Sequence, residues 1–160
     1  MTEAPGPART DAGGAVLTEM ICFDLYAASR AVTAVYRPLL DDLGLTYPQY
    51  LVMVALWERD ERSVRELVTA LHLDYGTVSP LLKRLDVRGL VERQRRADDE
   101  RTVVVSLTDD GRALRGRAAG VPVAIRAALG LDEAETAALQ RVLHRVTASA
   151  TAAAGGDDGA

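Results

Sequence analysis

Residues 63–107 read SVRELVTALHLDYGTVSPLLKRLDVRGLVERQRRADDERTVVVSL, and the fold is decided there. Ser63 followed by Glu66 is a capping box, in which hydroxyl and carboxylate each meet the other residue's backbone amide, so a helix opens at once and runs through Leu71. A short link, His72 to Asp74, leads to a second helix whose Val78, Leu81, Leu82 and Leu85 make one apolar stripe, with Gly89 as its end. Proline is harmless only in the first turn of a helix, so Pro80 predicts a cap at Gly76 or Thr77 rather than at Asp74. Two β-like runs follow, 90–95 and 102–107, joined by the acidic turn from Ala97 to Glu100, which is a hairpin. Two short helices across a tight link, then a basic hairpin, predict a winged helix-turn-helix over 46–107. Its second helix is sized for the major groove of DNA and its hairpin for the adjacent minor groove.

On the N-terminal side, Leu17, Ile21, Leu25, Ala28, Val32, Val35 or Tyr36, and Leu39 recur at steps of three and four, predicting a long amphipathic helix that ends near Gly44. Thr46 with Pro48 opens the next helix, through Tyr50, Leu51, Val54 and Trp57. On the C-terminal side one helix starts near Thr108 and a last one runs from about Asp132 through Leu139, Val142, Leu143 and Val146. The two end helices lie outside the reading head, and an amphipathic helix needs a partner surface, so 15–45 and 108–147 are expected to form a dimerisation domain. The expected fold is therefore mainly α with a small β-hairpin wing: a winged helix-turn-helix plus a helical dimerisation domain from the chain ends. Residues 1–14, rich in Pro, Gly and Ala, and 148–160, an Ala/Gly tail, are expected to be disordered.

A chain of 160 residues with 48% hydrophobic content is one domain of ordinary size with a real core. Its longest apolar run, Tyr50 to Trp57, is far too short to span a bilayer, and the N-terminus lacks a secretory pattern, so no membrane partner is expected and the location is cytoplasmic. One cysteine, Cys22, excludes an internal disulfide framework and a cysteine-based zinc cluster. His72 and His144 have no metal-ligand spacing, so neither metal nor cofactor is expected. The net charge of −4 hides an asymmetry. From Tyr75 to Arg96 there are six basic residues against two acidic ones, a local +4 that leaves −8 on the rest. That distribution fits a regulator touching phosphate with one surface, although a solvated helix face would look the same.

These segments resemble the MarR-type winged-helix regulators, and within them the organic-hydroperoxide-sensing OhrR group, over about 17–147. Residues 99–111 (DERTVVVSLTDDG) resemble the family's wing and next helix. The narrower signature is CFDLYAASR at 22–30, YRPLL at 36–40, LTYPQYLV at 45–52 and GTVSPLLKRL at 76–85. The resemblance implies a homodimeric regulator, a repressor, that binds double-stranded operator DNA when reduced. It further implies that Cys22 is the peroxidatic residue and that Tyr26 and Tyr36 hold the places of the two tyrosines that hydrogen-bond it across the dimer.

By itself, a lone cysteine on an amphipathic helix is a small core residue, and the tyrosines would be interface packing. Tyr26 lies one turn from Cys22, but Tyr36 is about 21 Å further along a straight helix, so only another subunit could bring it close. Sensing needs a thiolate, access for oxidant and donors for the departing oxygen. With no second cysteine, the sulfenic acid formed by an organic hydroperoxide would be capped by a small cellular thiol, become a sulfenamide, or oxidise further, and a bulky mixed disulfide is the better wedge between subunits.

For DNA, Gly76, Thr77, Ser79 and Pro80 open the recognition helix, where amides and small hydroxyls can approach phosphates and base edges, and Lys83 and Arg84 follow one turn later. Tyr75 stands where the family suggests a small serine. Arg101 is placed in the minor groove with Asp99 orienting it, the alternative being a surface ion pair that stabilises the turn. Of Arg93, Arg95 and Arg96, at least one should face phosphate. No catalytic constellation is visible, so the chain is not expected to be an enzyme. A thiol peroxidase would want a resolving route, and a pure dimerisation module would leave the wing arginines without purpose. Within the same fold the alternative is control by a non-covalent phenolic ligand or another oxidant.

Overall fold

A computed structural model describes residues 16–96, 99 and 101–155, so the expectation for 1–14 lies outside the described residues. After a 3₁₀ turn at Leu17–Glu19, helix α1 runs Ile21–Asp41 and α2 Tyr47–Glu58. Strand β1, Arg62–Ser63, then leads into α3 (Val64–Leu71) and α4 (Tyr75–Val87). The hairpin is β2 (Val91–Arg95) and β3 (Val103–Leu107), and α5 (Asp109–Arg117), α6 (Val121–Leu129) and α7 (Glu133–Gly155) complete the chain.

Local chemistry explains the boundaries. The expected capping box forms, Ser63 with Glu66 at α3, and Thr46 makes a second one with Gln49 at α2. The helices α1 and α4 end alike. At α1 the amides of Gly44 and Leu45 turn back to the carbonyls of Asp41 and Leu40, and at α4 those of Gly89 and Leu90 turn back to Asp86 and Leu85. The cap of α4 corrects the expectation drawn from Pro80. It is Asp74, whose carboxylate accepts from the amide of Thr77 at 2.8 Å and from its hydroxyl at 2.7 Å. Pro80 therefore lies in the second turn. The lost amide is tolerated because Val78, Leu81, Leu82 and Leu85 are all buried and hold the helix by packing.

The sheet has three strands in the order β1-β3-β2, all antiparallel, with Val91 opposite Leu107 and Arg95 opposite Val103. The hairpin is as expected, while β1, only two residues long, gives no period to read. The region after the wing also divides further than expected, into α5 and α6. Helix α7 continues to Gly155, through residues 148–155 that composition assigns to a disordered tail. Its Ala-rich sequence has high helix propensity and simply extends the preceding helix.

The core is centred on the reading head. Leu40, Met53, Leu56, Leu67, Leu82 and Leu85 are fully buried, joined by Val78, Val91 and Val105 from α4 and the wing. By contrast, α7 buries no residue, and Leu139, Val142, Leu143 and Val146 form an exposed apolar stripe at helical spacing. Val16, Leu17, Met20 and Ile21 ahead of and at the start of α1, and Val123 of α6, are likewise exposed. No helix among the described residues is long and apolar enough to cross a membrane, and no group of His, Cys, Asp and Glu there could hold a metal ion.

Candidate nucleic-acid interface and thiol site

Helix α4 presents a polar face opposite its buried stripe. Tyr75, Gly76, Thr77, Pro80, Lys83 and Arg84 are exposed and Ser79 is half-buried. The capping geometry changes what the N-terminal end offers. Asp74 already occupies the amide and hydroxyl of Thr77, and the bonds to Thr77 hold its carboxyl below the usual carboxylate range. An anion thus stands where the unpaired amides of a bare helix end would attract a phosphate. What this end of the helix exposes is side chains: the ring of Tyr75, the small surface of Gly76, Thr77 and Pro80, and the cations of Lys83 and Arg84.

In the wing, Asp99 organises the turn. Its carboxylate accepts from the backbone amide of Arg101 at 3.0 Å and from the hydroxyl of Thr102 at 2.7 Å, while the amide of Thr102 donates to the carbonyl of Asp99. Asp99 therefore fixes the backbone at exposed Arg101. Arg95 and Arg96 are exposed, and the amide of Arg96 closes the hairpin on the carbonyl of Thr102. Arg93 differs. It pairs with Val105, which is fully buried, and its Nε is buried without a hydrogen-bond partner, so this arginine lies against the body of the domain. Of the three hairpin arginines, Arg95 and Arg96 are exposed and Arg93 is half-buried.

Cys22 is the second residue of α1 and is exposed. Within the chain neither candidate tyrosine joins it by a hydrogen bond among the described residues. The hydroxyl of Tyr26 accepts from Arg30 Nη1 at 3.3 Å, and the guanidinium of Arg30 lies 5.7 Å from the ring centroid. Tyr36 packs on Tyr47, centroids 4.4 Å apart, and on Tyr50 at 5.9 Å, and Tyr50 in turn meets the edge of Trp57. Burial, then the neighbouring Tyr47 and Tyr50, push the Tyr36 hydroxyl up to about 12, so it stays protonated and can donate a hydrogen bond at physiological pH. This aromatic cluster, which connects α1 to α2, was not anticipated, although Tyr47, Tyr50 and Trp57 carry the spacing of one helix face. Nearby, a cleft between α1 and the start of α2 is lined by Arg30, Arg37, Leu40, Leu45 and Tyr47.

A three-stranded winged helix-turn-helix with an exposed polar recognition face and a basic wing defines a DNA-binding regulator. The family model for the transcriptional regulators SarA/Rot matches residues 34–116. The organic hydroperoxide resistance transcriptional regulator of Bacillus subtilis is 46% identical over 117 residues, 73% of this chain and 78% of that protein. Among solved structures, reduced AbfR of Staphylococcus epidermidis bound to DNA is 30% identical with a TM-score of 0.74, covering 84% of this chain and 92% of that one. Overoxidised AbfR bound to DNA is also 30% identical, with a TM-score of 0.69 and 82% and 93% covered. The chain belongs to the SarA/Rot and MarR-type family of winged-helix transcriptional regulators. These are DNA-binding proteins rather than enzymes.

Proposed function

We propose that the protein is a cytoplasmic, homodimeric repressor that holds operator DNA while Cys22 is reduced and releases it when an organic hydroperoxide oxidises that residue and a small thiol caps it. The observation that carries this reading is the position of Cys22, exposed at the start of the long helix beside exposed Met20 and Ile21, in a chain 46% identical to a regulator of organic hydroperoxide resistance. A second copy covering the apolar stripes of α1, α6 and α7 would put Cys22 against the partner's tyrosines, with Tyr36 and Tyr26 as hydroxyl donors to the oxygen leaving the peroxide.

The chemistry takes two steps. The Cys22 thiolate attacks one peroxide oxygen, the O–O bond breaks, and an alcohol departs after taking a proton, leaving a sulfenic acid. A small thiol then attacks that sulfur, water leaves, and a mixed disulfide remains. The second step matters because a sulfenate is small, whereas an adduct is a wedge at a packed subunit interface. A structure of overoxidised AbfR bound to DNA is in keeping with this division. DNA contact is assigned to Gly76, Thr77, Ser79, Pro80, Lys83 and Arg84 in α4 and to Arg95, Arg96 and Arg101 in the wing, with Asp99 shaping the wing tip. Arg93 serves there only by supporting the strand.

The test is the Cys22→Ser variant. It should bind DNA as the wild type does and stay bound under peroxide and thiol, and release equal to wild type would sink the sensing role. The second reading, control by a non-covalent phenolic acid, is favoured by the cleft holding Arg30, Arg37 and Tyr47, where two arginines against the single carboxylate of Asp41 leave a net positive lining beside an aromatic ring. Salicylate that releases DNA from Cys22→Ser without change of mass would select it.

A further inference from the structure

The turn that ends α1 offers three successive backbone carbonyls, of Asp42, Leu43 and Gly44, to two guanidinium groups from elsewhere in the fold. Arg88, which follows α4, donates through Nη1 to the carbonyl of Gly44 and through Nη2 to that of Leu43 at 3.2 Å. Arg117, the last residue of α5, donates through Nη2 to the carbonyl of Asp42 at 2.7 Å. Both cations sit at the negative end of the α1 dipole, where charge and hydrogen bonding act together. Gly44 suits the turn by its backbone, with a φ of +62°, and a side chain there would displace the Arg88 guanidinium, since a Cβ would lie 2.8 Å from Nη2.

The two arginines come from different elements, one at the end of α4 and one at the end of α5. Together they grip the end of the helix that carries Cys22 at its other end. We propose that Arg88 and Arg117 are positioning residues that fix the angle between α1 and the DNA-reading lobe, so that the register of two lobes on DNA depends on them. The proposal rests on the reading that two copies of the chain grip two half-sites through α1 and the end helices.

The experiment compares binding to a footprinted duplex from beside the protein's own gene with binding to the same duplex cut down to one half-site, at several salt concentrations. Preference for the full site should fall by ~10-fold in Arg88→Lys with Arg117→Lys, while half-site affinity and its salt dependence stay as in wild type. Lysine keeps the charge but not the forked reach, so a role as a simple phosphate contact would be rescued by it and a positioning role would not. Full-site preference equal to wild type in the double variant overturns the clamp alone. A wild-type protein that binds half-site and full site equally overturns the two-half-site reading, and the clamp with it. Thermal unfolding of the lysine variants near the wild-type temperature establishes that the lobe itself is intact.

Discussion

Asp60 accepts a hydrogen bond from the backbone amide of Leu107 at 2.8 Å, tying the end of α2 to the last residue of the wing. The same carboxylate accepts from the amide of Glu61 and from Arg112 Nη2 at 2.8 Å, so wing, α2 and α5 meet on one side chain. Burial alone would raise this carboxyl, yet the two amides and Arg112 outweigh it and hold it below the ordinary value. Glu66 is pulled down to about 2 by the amide and hydroxyl of Ser63 and by Arg59. A carboxylate depressed in the folded state stabilises the fold above its unfolded pKa and loses that contribution as pH falls through the folded one. Stability should therefore decline as pH drops below about 4.5 and towards 2, the window between the ordinary and folded values of Glu66. Asp60→Ala should cost about 1–2 kcal/mol at neutral pH, by leaving the Leu107 amide without its acceptor, and should flatten part of that acid limb. Urea unfolding at pH 7 and pH 3 measures both.

Among the described glycines, Gly111 has the least room for a side chain. A Cβ there would lie 2.0 Å from the carbonyl oxygen of Leu90, and the Gly111 carbonyl accepts from Trp57 Nε1 at 2.9 Å. Because the obstacle is backbone, no side chain can swing aside. Gly111→Ala should destabilise the fold by about 2–4 kcal/mol, read as a lower urea midpoint, whereas Gly116→Ala, with open space around it, should not.

The tyrosine cluster gives an alkaline signature. Tyr36, Tyr47 and Tyr50 are all raised, Tyr36 to about 12, chiefly by burial. A group raised in the folded state stabilises the fold below its unfolded pKa of about 10 and loses that contribution as pH climbs through the folded value. Absorbance at 295 nm should show a late tyrosinate fraction that Tyr36→Phe removes, and stability should fall between pH 10 and about 12. The same variant should slow oxidation of Cys22 in the dimer without weakening DNA binding by the reduced protein.

Arg101→Ala should weaken DNA binding by ~10-fold and lower the salt slope by about one, with oxidation of Cys22 unchanged. Arg93→Ala, by contrast, should leave the salt slope as it is, since its Nε is buried against the domain. Fluorescence anisotropy across a salt series separates the two.

Features made by neighbours in sequence were legible in advance. The N-cap at Thr46, the capping box at Ser63, the glycine ends at Gly44 and Gly89 and the hairpin all follow from contacts within a few residues. The α4 cap is not legible from Pro80 alone, because the burial of Val78, Leu81, Leu82 and Leu85 that lets Asp74 open the helix exists only in the assembled core. Strand β1 and the contacts of Asp60, Arg88 and Arg117 join residues 42–117 across long separations, and no local period encodes them. At the candidate site, alternation along a basic strand could not say which arginine faces inward. That was decided by Arg93 pairing with Val105.

The central claim is that thiol chemistry at Cys22 controls the grip on DNA. The direct measurement is anisotropy of DNA from beside the protein's own gene with the reduced protein, at fixed salt, before and after one equivalent of cumene hydroperoxide plus free cysteine, with intact mass recorded in parallel. Release that tracks formation of one cysteine adduct per chain, mapped to Cys22, is the predicted result. DNA still held by fully adducted protein, or released by protein of unchanged mass, would contradict it.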